Sequence, residues 1–200
     1  MRLPRSFYAR GADVVARELL GTILVRRTPD GLRRARLVET EAYVGPHDLA
    51  SHARFGRTAR NSVMWGPPGR AYVYFVYGMH NMLNVVCAPE GDAQAVLLRA
   101  AEPLYGWTAR LNGPGLLARG FGVTRADDGA DLVRGGDLWL EPGAAPARIV
   151  ADRRVGIDFA GPWAHEHLRF LDPASPSISR HPRGSATPWT AARSPARPPS

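Results

Sequence analysis

Two extended runs on either side of a four-residue turn do most to fix what this 200-residue chain can become: Thr22 to Arg27, then Thr28-Pro29-Asp30-Gly31, then Leu32 to Tyr43. Proline presets a turn dihedral and glycine accepts conformations that close a turn, so the runs are predicted to fold back as an antiparallel hairpin. Further on, Arg70 to Val76 and Leu83 to Ala88 read as partners, and Pro89-Glu90-Gly91-Asp92 turns into an apolar strand from Ala93 to Ala101. A mostly antiparallel sheet is therefore the expected scaffold.

Helical periodicity is confined to short pieces. Ala12 to Leu20 places Val15, Leu19 and Leu20 on one side, with Gly21 as a stop. Asn112-Gly113-Pro114-Gly115 is predicted to open a second helix, Asn112 capping it and Leu116 and Leu117 supplying its apolar side. Short strands near Asp137 to Leu140 and Arg148 to Val150, then Val155-Gly156-Ile157 and Leu168-Arg169-Phe170, complete the domain. From 183 to 200 the chain is rich in proline, serine, alanine and arginine, too poor in apolar bulk to offset the entropy of ordering, so a domain over 1–182 followed by a disordered basic tail is expected. A chain of this size buries roughly 70% of the surface its unfolded form exposes, enough for a single core.

The formal net charge of +8 and sequence pI of about 10.7 favour a polyanionic partner such as nucleic acid. All 26 basic residues are arginine, so no side-chain amine is available for a Schiff base. The single Cys87 sits in an apolar run and is expected to pack as a small hydrophobe. Neither a signal-peptide core nor an apolar run near the ~18 residues of a membrane span occurs, so a soluble, cytoplasmic protein with no membrane association is expected.

Strand alternation puts Glu39 and Glu41 on one face together with Tyr43, and three tyrosines, Tyr72, Tyr74 and Tyr77, lie in a strand that runs into Gly78. A carboxylate beside aromatic rings suits a flipped nucleobase whose glycosidic bond is to be attacked by water. Arg99 ends the apolar run Ala95-Val96-Leu97-Leu98, so its guanidinium needs an acceptor. With a glutamate it could polarise a water; equally, the two could form a structural ion pair. Tyr77, beside the turn glycine, is placed to project as a wedge, and stacking on an aromatic ring is worth ~1–3 kcal/mol against an extrusion cost of a few kcal/mol. Two other functions remain open at this point: a non-catalytic nucleic-acid-binding module, and a carbohydrate glycosidase using Glu39 and Glu41 as its pair, their Cα atoms roughly 6 to 7 Å apart. His47, Asp48 and His52, or His165-Glu166-His167, lack a third ligand at zinc-type spacing, and Gly66-Pro67-Pro68-Gly69 lacks the residues of a phosphate-binding loop. No metal site is expected.

An ordered series of motifs carries a resemblance: Arg36-Leu37-Val38-Glu39-Thr40-Glu41-Ala42-Tyr43, Ala50-Ser51-His52-Ala53-Arg54, Thr58-Ala59-Arg60-Asn61, Tyr72 through Met79, Leu97-Leu98-Arg99-Ala100-Ala101-Glu102-Pro103, Asn112-Gly113-Pro114-Gly115 and Arg154-Val155-Gly156-Ile157. Together these resemble the alkyladenine, or 3-methyladenine, DNA glycosylases of the mammalian type. The resemblance implies an α+β fold, a single mixed domain on a curved, mostly antiparallel sheet with short helices at its edges, and no cofactor. It implies that Glu41 activates the water, helped by Arg99 and the backbone carbonyl of Val155. Tyr43, His52 and Tyr74 would hold the flipped base, Asn84 would disfavour guanine, and Tyr77 would intercalate. Arg54, Arg57 and Arg60 would meet the DNA backbone. The implied partner is double-stranded DNA containing damaged purines, bound by a monomer in the cytoplasm at the nucleoid. The chain departs from the family in a short connection, Leu104 to Leu111, and in its tail.

Overall fold

A computed structural model describes residues 1–76 and 78–182, together with the backbone of Thr187–Pro188. Helix α1 (Arg5–Tyr8) and helix α2 (Ala12–Glu18) precede a hairpin of β1 (Ile23–Thr28) and β2 (Gly31–Tyr43). Then follow β3 (Ala71–Val76), β4 (His80–Cys87), β5 (Gln94–Pro103), α3 (Pro114–Gly120), β6 (Leu138–Glu141), β7 (Val150–Asp152), β8 (Arg169–Leu171) and β9 (Thr187–Pro188). The strands form one curled sheet ordered β3-β4-β5-β2-β8-β7-β9, with β1 paired to the first half of β2 and to β6. Every recorded pairing is antiparallel, and the fold is a single α+β domain with short helices.

The predicted hairpin forms in register, Thr28 opposite Gly31, and the Thr28 hydroxyl donates to the Gly31 carbonyl at 3.0 Å. α2 packs on the sheet through Val15 and Ala16, and the Thr40 hydroxyl donates to the Ala16 carbonyl at 2.7 Å. No side chain caps α2 from position Gly11; instead the Ala12 amide donates to Gln94 Oε1 on β5 at 2.9 Å, a partner no local pattern announces. Cys87 is buried in the main core with Val85, Val96 and Leu98, as expected of a small hydrophobe.

Some boundaries differ from expectation. α3 starts after Gly113 with Pro114 in its first turn, where the missing amide costs nothing. Asn112 therefore does not cap it; its backbone bridges to Ala100 instead. β4 begins at His80 rather than Leu83, because the antiparallel ladder with β3 extends to Val76 opposite His80. Val155-Gly156-Ile157 is not a strand but a loop leading into a 3-10 segment from Asp158. The expected tail lies outside the described residues except for the two-residue β9 pairing with β7.

Candidate active site

One cross-strand row organises the site. Tyr72 on β3 faces Asn84 on β4, Asn84 faces Leu97 on β5, Leu97 faces Glu41 on β2, Glu41 faces Arg169 on β8, and Arg169 faces Asp152 on β7. Strands about 4.8 Å apart bring these six positions from distant parts of the chain onto one line.

Two bulges decide which face that line is on. Leu37 pairs with Ala101 and Glu39 with Ala100, which leaves Val38 as an extra residue; Thr40 then pairs with Leu98, which leaves Arg99 extra on β5. Leu37 packs in the core beneath α2, yet Thr40 and Ala42 also face that core, so the Val38 bulge has switched the alternation. Without it Glu39, Glu41 and Tyr43 would point into the helix-covered core. With it they share the opposite face, as the sequence predicts of each relative to the others. The bulge on β5 likewise aims Arg99 at both carboxylates: Nε donates to Glu39 Oε1 at 2.8 Å and Nη1 to Glu41 Oε2 at 3.0 Å.

Glu41 is fully buried from solvent-sized contact yet borders a cavity of about 330 Å³, near the lower end of the ~300–1,000 Å³ usual for small-molecule sites. Three donors meet its carboxylate. The Val155 amide adds to Oε2 at 3.1 Å, and the Tyr43 hydroxyl donates to Oε1 at 2.7 Å. Each carboxylate oxygen accepts about two hydrogen bonds, so Oε2 is saturated and Oε1 keeps one free position. It is the amide of Val155, rather than its carbonyl, that is recorded against Glu41. Gly156, at φ +75°, adopts the left-handed turn that carries the chain on from this contact.

Glu39 is absent from the cavity wall. It is enclosed by Arg99, by Arg169 Nη1 at 3.1 Å and by Ser179. A two-carboxylate glycosidase needs both acids at the substrate, so this geometry leaves that reading without its second acid.

The cavity wall is aromatic. Tyr43, His52, Tyr72 and Tyr74 all border it, with the His52 ring 4.5 Å from that of Tyr74 at 71°. His52 is set by a short 3-10 turn whose start is capped by Ser51, its Oγ accepting the Ala53 amide at 3.1 Å. The His52 ring nitrogen Nδ1 lies 2.8 Å from the Tyr72 hydroxyl. Burial, reinforced by Arg60 and Arg54, pushes His52 down to about 4, so the ring is neutral at ordinary pH. Burial raises Tyr72 to about 12 and lifts Tyr43 and Tyr74 as well, the nearby Glu41 carboxylate adding to it in both of those cases. These phenols therefore stay protonated as donors. Asn84 borders the cavity and spends its Nδ2 on the Tyr72 carbonyl at 3.1 Å and the Met82 carbonyl at 3.4 Å.

Beneath Tyr43 lies a pair the sequence analysis did not assign. Arg154 grips Asp48 with two nitrogens, at 2.5 and 2.8 Å, both side chains wholly buried, and its guanidinium sits 5.0 Å from the Tyr43 ring centre. Asp48 also accepts the Val44 and Ala50 amides, which pins the loop that leads to His52. No local pattern in the loop marks Asp48 as an ion-pair partner, since Arg154 lies more than a hundred residues away in sequence. Among the described residues no group of three or more His, Cys, Asp or Glu is arranged to hold a metal ion.

The three arginines expected at DNA surround this region differently. Arg54 is stacked between Phe55, 4.3 Å away, and Phe159, 4.9 Å away, and bonds the Leu49 carbonyl. Arg57 is exposed, and exposed Arg60 donates to the Phe75 carbonyl at 3.4 Å. Tyr77 lies outside the described residues. No helix among the described residues is long and apolar enough to cross a membrane.

Comparison with known proteins adds an independent line. Residues 6–176 match the family model described as Methylpurine-DNA glycosylase (MPG). A protein of Anaeromyxobacter sp. (strain Fw109-5) named "Putative 3-methyladenine DNA glycosylase" is 50% identical over 183 residues, covering 91% of this chain and 94% of the relative. A relative of the same name from Methanocella arvoryzae is 47% identical over 195 residues, covering 91% of this chain and 98% of its own, and one from Legionella pneumophila (strain Corby) is 43% identical over 182 residues, covering 90% and 98%.

Proposed function

The chain belongs to the methylpurine-DNA glycosylase family, hydrolases of N-glycosyl bonds in base-excision repair, and from that premise we propose that it flips alkylated or deaminated purines out of duplex DNA and hydrolyses the bond to the sugar with a water activated by Glu41. The observation that carries this reading is the Glu41 carboxylate: buried, bordering an aromatic cavity, held by three donors and left with one accepting position on Oε1.

The flipped base enters between Tyr43 and Tyr74, with the His52 ring beside it. Water bound at Oε1 attacks the anomeric carbon and passes its proton to Glu41, while the electrons of the breaking bond leave with the base. A cationic base such as 3-methyladenine departs neutral without an acid. The carboxylate also stabilises the positive charge that develops on the sugar. Arg99 and the Val155 amide hold Glu41 without occupying the position the water uses. Tyr77 fills the gap left by the base, Arg54, Arg57 and Arg60 meet the phosphates, and Asn84 disfavours guanine by crowding its 2-amino group. The catalytic unit spans 1–182, acts as a monomer at the nucleoid in the cytoplasm, and leaves an intact abasic site, since the chain has no lysine to form a Schiff base.

The test is incubation with duplexes carrying one defined alkylated or deaminated purine, followed by alkali. Strand breaks at the lesion only after alkali are the expected result. Tight binding to these duplexes with no base released from any of them would make the protein a non-catalytic damage binder instead.

A further inference from the structure

A line of alternating charge runs beneath the cavity and ends at Glu41. Asp152 meets Arg169 Nη2, Arg169 Nη1 meets Glu39 at 3.1 Å, Glu39 meets Arg99 Nε at 2.8 Å, and Arg99 Nη1 meets Glu41 at 3.0 Å. All five are buried, Arg99 being the most exposed at 5%. Pairing makes such burial tolerable, but removal of a partner strands the neighbouring charge.

The line is closed from one side by a segment beyond residue 176, where the match to the family ends. The Ser179 amide donates to Glu39 Oε2 at 2.5 Å, and the Ser179 hydroxyl lies 2.7 Å from Glu39 Oε1 and 3.2 Å from Arg99 Nη2. A carboxylate only accepts and a guanidinium only donates, so the hydroxyl proton must point to Glu39 and its lone pair to Arg99. Flanking contacts hold Ser179 there. Ile178 packs with Val38, Ala100, Val150 and Leu171, and the Arg180 carbonyl accepts Arg169 Nη1 at 3.1 Å.

Each of the three nitrogens of Arg99 thus has one partner: Nε has Glu39, Nη2 has Ser179, and Nη1 alone has Glu41. A guanidinium prefers to grip a carboxylate with two nitrogens. Were it free to pivot onto Glu41 in that way, it would take up Oε1, the oxygen with the open position. We propose that Ser179 and Glu39 are positioning residues for the hydrolysis: they restrict Arg99 to a single bond on Glu41 Oε2 and so keep Oε1 available to the attacking water. This rests on the reading of Glu41 as the base.

The test uses the full chain carrying Ser179→Ala, measured under single-turnover conditions with enzyme saturating a lesion-bearing duplex and the rate constant normalised to titrated active sites. Loss of one hydrogen bond to a charged group is expected to lower that rate constant about tenfold, with affinity for an uncleavable abasic-analogue duplex unchanged. Ser179→Thr, which keeps the hydroxyl and the amide, is expected to restore the rate. A purely structural role would instead lower the active fraction and the thermal midpoint while the rate constant per active site stayed at the wild-type value, and that result overturns the inference. Glu41→Gln, run alongside, separates the two readings. If it is inactive while Ser179→Ala turns over at full rate per site, only the positioning role falls. If Glu41→Gln itself turns over normally, the base assignment fails and the positioning role with it.

Discussion

Replacing Glu41 with glutamine removes the proposed base while leaving most of its surroundings intact. The amide oxygen can keep the Arg99 and Val155 bonds, at 3.0 and 3.1 Å. What is lost is the acceptor for the Tyr43 hydroxyl, which lies 2.7 Å away; Tyr43 must turn its proton elsewhere and accept from the new amide. Arg99 retains Glu39 as counter-ion at 2.8 Å, so no buried cation is left alone. The folding penalty is therefore confined to about one charge-assisted hydrogen bond, ~1.5–3 kcal/mol. The chemical penalty is larger: a general base contributes about 10²–10⁴ in rate, or ~3–5 kcal/mol of barrier. Because the substitution removes a negative charge and adds none, repulsion of a polyanion is not increased, and affinity for DNA should stay level or rise. The assay is base release from a single-lesion duplex under single-turnover conditions, paired with binding to an abasic-analogue duplex. The expected outcome is a fall of at least about a hundredfold in rate with affinity within about threefold of the wild type or tighter. A folded variant whose rate stayed within about threefold of the wild type would refute the assignment of Glu41 as base.

Three further outcomes follow from the same site. His52 titrates near 4 in the folded protein against 6.5 as an ordinary side chain, so the unfolded chain binds the extra proton first; the stability carried by the neutral ring is full above about pH 6.5 and is lost as pH falls through about 4. In urea titrations the stability of wild type relative to His52→Gln should be constant above pH 6.5 and fall as the pH drops from 6.5 toward 4, and parallel curves across that window would dismiss burial of His52 as the cause. Asn84→Ala, which clears the amide from the cavity wall, should shift the excision ratio of guanine-type over adenine-type lesions upward by about tenfold, within the range one group in a pocket can supply; an unchanged ratio removes Asn84 from specificity. Borohydride added during turnover should trap no covalent protein–DNA adduct, because the chain offers no lysine, and a substantial adduct would show that the amino terminus attacks the sugar.

The strands up to β5 and the pairings of β1 with β2 and β3 with β4 were legible because proline, glycine and alternating apolar residues mark strand ends locally, and the Thr28-to-Gly31 turn formed where they placed it. The grouping of Glu39, Glu41 and Tyr43 on one face was legible too, since they keep a two-residue period. Which face they occupy was not. That depends on the Val38 bulge, and a bulge arises from pairing with a strand some sixty positions away rather than from its own residue. The Asp48–Arg154 pair escaped for the same reason: two charges more than a hundred residues apart in sequence give no periodic signal. The helix at Pro114 is legible but its start is not: capping preference points to Asn112, whose backbone is committed instead to a bridge with Ala100. Ser179 had no local mark at all, its significance arising only where the chain returns over β2.

The extra residue on β2 and the extra residue on β5 cancel: beyond them the strands resume the offset they had before, so the sheet carries a pair of opposed lattice defects with the Glu39–Ala100 pair between them and Glu41 just past the second. Such a pair cannot be altered one member at a time. Deleting Val38 alone would invert the parity of everything from Glu39 to Tyr43 and send two carboxylates into apolar packing, and deleting Arg99 alone would slide one strand against the other along the rest of their ladder. Removing both would heal the sheet and erase the chemistry. A length change at either position therefore breaks the register or the site, whereas connections outside the paired strands, such as the short link from Leu104 to Leu111, can change length without moving either.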